Sequence, residues 1–186
     1  LPNFEVFSPC SDYEVAYITN YLSTSHKTPA YLRIDKNKVE ELDTKNKITS
    51  ISTPRLISTN NLNTSEIIIF ASGGIINEVI KAVSKAKKKR INFSIFSIFN
   101  ISKLRKFFIN KIKNKKILVV EETIKENGVF SFLRNELDNK IMKSISINKN
   151  LIFFNAGSQK YIRQKQKISQ RYIFKRIIDI NKNSND

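Results

Sequence analysis

The sequence predicts an α/β fold: an open, mainly parallel sheet flanked by helices, preceded by part of a second α/β unit. Three observations carry this. Short runs rich in Ile, Val, Leu and Phe recur after residue 65, at 67–70, 91–98 and 117–120, each the length of a strand buried on both faces. Between strand candidates the apolar residues fall at helical spacing, as in Ile76, Val79, Ile80 and Val83. The resulting order of strand, helix, strand, helix, strand is that of parallel strands joined by crossover helices.

Taken in order, residues 4–7 read as a short strand, turned by Pro9-Cys10. Ser11-Asp12-Tyr13-Glu14 has the form of a capping box. Val15, Ile18 and Leu22 continue it as a helix over about 12–22. A polar loop at 23–28 leads to a strand at 29–34, where Tyr31, Leu32 and Ile34 supply β-prone bulk. Residues 35–65 are polar and interrupted by Pro54, which predicts an interdomain linker with one short hairpin. Ser72-Gly73-Gly74 breaks the strand at 66–71 and opens the helix of Ile76 to Val83. After the strand at 91–98, Ser102 is expected to cap a helix presenting Leu104, Phe107, Phe108 and Ile112. The strand at 117–120 is expected to end in Glu121-Glu122, and Gly128 to precede a helix with Val129, Leu133 and Leu137. Residues 141–147 and 151–154 are further strand candidates, and helices close the chain, the last over about 169–180. The predicted division is 1–38, the end of one domain; 39–65, a linker; and 66–186, a second domain.

Composition bounds the function. No apolar run reaches the roughly 18 to 20 residues of a membrane span, and no signal peptide is visible at Leu1-Pro2-Asn3-Phe4-Glu5. With no Met at position 1, the natural start is expected upstream. The single Cys10 leaves no internal disulfide and fits a reducing cytoplasm. The formal charge of +17 raises the question of nucleic acid. Lys, Asn and Ile are abundant together, the lysines are spread along the chain, and the densest runs, 85–90 and 111–116, sit where helices should end and cations offset the macrodipole. The charge is therefore read as a solvated surface rather than a nucleic-acid groove.

The residues that could carry chemistry are few. Ser72-Gly73-Gly74 lies at a helix N-terminus, a place for anions, yet it matches neither a dinucleotide fingerprint nor a P-loop and reads first as a tight turn. Glu121 and Glu122 end a buried strand at the sheet edge where α/β folds place ligands. Neighbouring strand residues point to opposite faces, so the pair should not share one substrate; one is expected to receive hydrogen bonds at an interface. His26, the only histidine, has no Cys, Asp or second His at ligand spacing, and Cys10 reads as a buried thiol. Arg33 and Lys36 flank the end of the 29–34 strand and could bind an anion or remain solvated.

Several segments, in order, resemble the C-terminal half of the transketolase family, which includes transketolases, deoxyxylulose phosphate synthases and the β subunits of 2-oxoacid dehydrogenases. They are Leu1-Pro2-Asn3 with Ser8-Pro9-Cys10-Ser11 and Glu14; Thr28-Pro29-Ala30-Tyr31-Leu32-Arg33; residues 66–71 with Ser72-Gly73-Gly74 and Glu78; Ile117-Leu118-Val119-Val120-Glu121-Glu122 followed by Gly128; and Asn155-Ala156-Gly157-Ser158. Three departures stand out. Ser11 replaces the usual Asp, Asn127 replaces the first of two glycines, and Lys36 stands where transketolases commonly carry an Arg on the sugar phosphate. Lysine keeps that charge but loses the bidentate fork.

The resemblance implies that residues 1–38 end a pyrimidine-binding domain and 66–186 form a transketolase C-terminal domain. It implies a thiamine-diphosphate- and Mg²⁺-dependent transferase that moves a two-carbon ketol unit between sugar phosphates. Both cofactors would be held by regions outside this sequence, so that the chain alone is inactive, with no catalytic or metal residue of its own. Lys36 and Arg33 would meet the substrate phosphate, and Glu121, Glu122 and Gly128 would serve structure or an interface. The implied partners are an upstream or separate N-terminal transketolase portion, in a homodimer or heterotetramer, in the cytoplasm. A 2-oxoacid dehydrogenase β subunit, a deoxyxylulose phosphate synthase, a nucleic-acid-binding module and a non-catalytic remnant are the alternatives.

Overall fold

The computed structural model describes residues 3–36, 46–57, 62–103, 106–137, 142–150 and 156–182. A five-stranded sheet forms its centre, in the order β3 (Arg55–Leu56), β5 (Phe93–Ser97), β4 (Ile67–Ser72), β6 (Lys116–Ile124), β7 (Met142–Ile147). The four strands from β4 to β7 run parallel, and β3 is added antiparallel at one edge. All six residues of β4 are buried, because alternate side chains enter two different cores. Ile67, Ile69 and Ala71 pack with α2 (Ile76–Lys87) and α6 (Gln170–Lys182) through Val79, Val83, Ile173 and Ile177. Ile68 and Phe70 face the other way, onto α3 (Lys106–Ile112) and α4 (Val129–Glu136) through Phe108, Ile112, Phe130 and Leu133. Each fully buried Ile or Phe contributes about 1.5–3 kcal/mol of transfer free energy, so this double layer dominates the stability.

The first segment makes its own small layer. Strands β1 (Glu5–Phe7) and β2 (Ala30–Leu32) pair in parallel, with α1 (Asp12–Thr24) as the crossover between them. Phe7 and Ile18 bury against Phe99, which follows β5, and backbone bonds from Ser8 N to Phe99 O and from Ile101 N to Val6 O fix the junction. Among the described residues, no helix is long and apolar enough to cross a membrane.

Three expectations are corrected. Residues 46–57, within the predicted linker, show no hairpin; Arg55–Leu56 instead joins the main sheet beside β5. The hydroxyl of Ser102, the expected cap, accepts from Val6 N; residues 104–105, which precede the first described turn of α3, lie outside the described residues. Strand β6 does not stop at Glu121-Glu122; it shifts register after Val120 and runs on to Ile124. The capping box at Ser11 is altered: Ser11 Oγ accepts from Glu14 N, but the Glu14 carboxylate accepts from Cys10 N at 2.8 Å, one residue before the cap. The strand predicted at 151–154, together with Leu104 and Asn155, lies outside the described residues, as does the side chain of Phe107.

Candidate functional site

The C-terminal edge of a parallel sheet is where successive crossovers leave a crevice. Here the end of β4, the end of β6, the turn after β2 and the start of α5 (Gln159–Lys165) surround a cleft of about 210 Å³. Its wall on the β2 side is Arg33, Ile34, Asp35 and Lys36; its floor is Ser8 and Ser72-Gly73-Gly74; Glu122 and Gln159 close it. Gly73 adopts φ +76°, which lets the chain turn from β4 straight into a short 3₁₀ turn, Gly73–Ile75, that leads into α2.

Charge is arranged in layers. Arg163, only 7% exposed, donates to both oxygens of Glu122 at 2.8 and 2.9 Å and lies 3.5 Å from Asp35 Oδ2. Burial alone would lower the Arg163 pKa, but Glu122, Asp35 and Glu78 outweigh it and hold the guanidinium above its ordinary value. Gln159 Nε2 donates to both Asp35 oxygens at 3.2 Å. Gln159 and Arg163 share one helix face at i, i+4, so a single turn of α5 grips the loop after β2. Arg33 and Lys36 stand above this layer and are exposed; Arg33 Nη1 donates to the Glu122 carbonyl at 3.2 Å. The arrangement offers two accessible cations over a fixed carboxylate–guanidinium network, suited to holding an anionic group at the mouth.

Glu121 and Glu122 diverge as adjacent strand residues must. Glu122 faces Arg163, whereas Glu121, 1% exposed, turns toward α4. Its carboxylate accepts from Val129 N (2.7 Å), Phe130 N (3.2 Å) and Thr123 Oγ1 (2.7 Å), a cap supplied from a neighbouring strand. Burial pushes its pKa up, with the three donors opposing. Gly128 makes this possible: a Cβ there would overlap the Glu121 carboxylate and Thr123 Oγ1. Gly128 is thus placed against Glu121, some distance from Arg33 and Lys36 in the chain and absent from the cleft lining.

A second buried charge cluster lies under α1. Glu14 and Arg55 have fully buried side chains 3.5 Å apart. Glu14 Oε2 also accepts from Ser97 Oγ at 2.9 Å, and Arg55 donates to Asn46 O and Ser11 Oγ and lies 4.7 Å from the Tyr13 ring centre. Desolvation raises the pKa of Glu14 and, with the nearby Glu14 carboxylate, that of the buried Cys10 thiol. His26 bonds with Tyr21 Oη and Thr28 Oγ1.

The sequence had marked Arg33, Lys36 and Glu122, which the fold brings to one cleft, and Glu121 and Gly128, which it brings together in a buried contact at the start of α4. It had not marked Asp35, Gln159, Arg163, Glu14 or Arg55 as a network. The one signal was the i, i+4 pair of Gln159 and Arg163 on a helix; their carboxylate partners are far away in sequence. Among the described residues no group of three or more His, Cys, Asp or Glu could hold a metal ion, and the carboxylates at the cleft are already committed to Arg163 and Gln159. The described residues therefore do not fit a metal–diphosphate group.

No family model matches the sequence, and no curated protein matches it. Solved structures do. A split-gene transketolase in the form of an inactive β4 tetramer superposes with TM-score 0.82 at 14% identity, over 97% of this chain and 58% of that one. A transketolase variant from Pichia stipitis in complex with fructose 6-phosphate gives 0.78 at 15% identity, over 100% and 26%. The transketolase of Campylobacter jejuni subsp. jejuni gives 0.73 at 15% identity, over 96% and 26%. The chain thus spans a little over half of the first and about a quarter of the others, and at such identities the likeness is one of architecture. Its mainly parallel sheet, flanking helices and small leading β-α-β layer fold as a section of a transketolase.

Proposed function

We propose that this chain is the C-terminal section of a thiamine-diphosphate-dependent transketolase-like enzyme that moves a two-carbon ketol unit between sugar phosphates. In this reading, residues 1–38 complete a pyrimidine-binding domain, 39–65 connect, and 66–186 form the C-terminal domain. The cofactor and Mg²⁺ would be held by another portion, upstream or on a separate chain, and would supply the ketol-transfer chemistry there. This chain's own part is to hold the phosphate end of the sugar.

The observation that carries the reading is the pair of exposed cations, Arg33 and Lys36, at the mouth of the sheet-edge cleft. A phosphate there meets two positive groups that, among the described residues, no carboxylate bonds directly, while Glu122 and Asp35 are held by Arg163 beneath. The fold match to transketolases, one of them holding fructose 6-phosphate, supports the same class of ligand. The chain's large exposed apolar residues support a partner: Tyr31, Ile34 and Tyr161 are 53%, 58% and 46% exposed, the first two on or just after the short strand β2. Such side chains around a two-stranded parallel sheet are what a covering portion would bury.

The test is to purify the chain with whatever protein accompanies it, add thiamine diphosphate and Mg²⁺, and assay ketol transfer. In an active preparation, Lys36→Ala and Arg33→Ala each raise KM for the sugar phosphate by about tenfold, the worth of one charge-assisted bond, with kcat little changed. An unchanged KM in both variants removes the phosphate role.

A further inference from the structure

Asp35 is the residue the proposed phosphate site should not contain. It sits between Arg33 and Lys36 in the chain and lines the same cleft, with its carboxylate turned inward. The carboxylate lies directly on the Cα of Gly74, so closely that a Cβ on Gly74 would overlap it. That places a fixed negative charge beside the backbone that enters α2, where the helix dipole is positive. It is held by Gln159 Nε2 at 3.2 Å to each oxygen and by Arg163 Nη2 at 3.5 Å. The charged residues lining the cleft are therefore in balance, Arg33 and Lys36 against Asp35 and Glu122, where removal of Asp35 would leave one net positive charge; Arg163 lies behind the two carboxylates.

We infer that Asp35 is an affinity-setting residue: its carboxylate acts as a built-in anion that competes, by charge, with a phosphate entering the cleft. The inference rests on the anion-binding reading of Arg33 and Lys36 and adds to it the residue that limits the affinity. It touches no reacting atom. Its effect passes through the potential at the cleft mouth and through Arg163, whose guanidinium it shares with Glu122.

The experiment is a calorimetric titration of the purified chain, with any accompanying protein, against inorganic phosphate and sugar phosphate at low salt. Asp35→Asn keeps the shape and one acceptor for Gln159 but removes the charge. Asp35→Ala removes the charge and opens the space over Gly74. Thermal unfolding verifies that both variants fold. Removing one unit charge within a few ångströms of the ligand should tighten phosphate binding by about three- to tenfold in both variants, with the gain shrinking as salt is added. If phosphate binds the wild type and Arg33→Ala weakens it, but neither Asp35 variant binds more tightly, Asp35 is a tether only and this inference falls while the anion cleft stands. If phosphate binds neither the wild type nor the Asp35 variants, the anion cleft itself is wrong and the inference goes with it. Binding that appears only in the Asp35 variants upholds both.

Discussion

Glu121 shows how one buried carboxylate can be worth more than its charge. It serves two buried amide donors at the start of α4, neither of which has water to fall back on, and the half-buried hydroxyl of Thr123. Glu121→Ala is expected to cost about 2–3 kcal/mol in urea unfolding, the price of leaving buried donors unpaired, while Glu121→Gln keeps an acceptor and costs less. The pH dependence has a definite sign. Burial raises the pKa of Glu121, and of Glu14, so the native state binds these protons more tightly than the unfolded chain. The stability from this source is fully present below the ordinary carboxylate pKa and is lost as pH rises through the raised values. Urea midpoints measured upward from about pH 4.5, the ordinary Glu value, should fall more steeply for the wild type than for Glu121→Gln.

Among elements, the contact between α1 and the main sheet is the one most exposed to disruption. It is made by Glu14 on the helix, Arg55 on β3 and Ser97 on β5. Arg55→Met strands Glu14 as an unpaired buried acid and is expected to cost about 3–5 kcal/mol; the double variant Glu14→Gln, Arg55→Met should recover part of that loss, because no lone charge is left. A double-mutant cycle by chemical unfolding reads this coupling directly. The sequence made the apolar framework legible at this scale. The runs at β4 and β6, the spacing of α2 and the Ser11 cap all follow from local residue order. Strand β3 did not, since two residues led by an arginine carry no period, and their pairing is decided by a carboxylate 41 positions earlier. The run of β6 past Glu122 was missed for a similar reason: paired glutamates look like an exit, and only the cap of α4 and the grip of Arg163 explain why strand geometry continues through them.

At the scale of the whole molecule, Arg163 on α5 clasps the first layer through Asp35 and the main sheet through Glu122. Arg163→Met should cost about 3 kcal/mol, the low end for breaking a buried pair, and should loosen the first layer ahead of the main sheet. Four of the six tyrosines, Tyr13, Tyr17, Tyr21 and Tyr31, lie in the first 36 residues, so tyrosine fluorescence should melt earlier than far-ultraviolet dichroism in this variant and together with it in the wild type. Of the candidate site, the sequence exposed the cations and the glutamates but not the members that organise them. Asp35 and Arg163 are 128 positions apart, and only the sheet brings them together.

That separation has a consequence for the order in which the molecule can be made. Helix α1 has its carboxylate satisfied by a serine 83 positions later, and Asp35 waits for a guanidinium 128 positions on. Contacts of such high order form late, because the loop-closure entropy must be met before they reward it. During synthesis the leading layer leaves the ribosome before the residues that secure it. Until residues 97–99 emerge, Glu14 lacks Ser97 and Phe7 and Ile18 lack Phe99, and until α5 emerges Asp35 lacks Gln159 and Arg163, an interval in which a nascent chain is most in need of a chaperone or of an early partner.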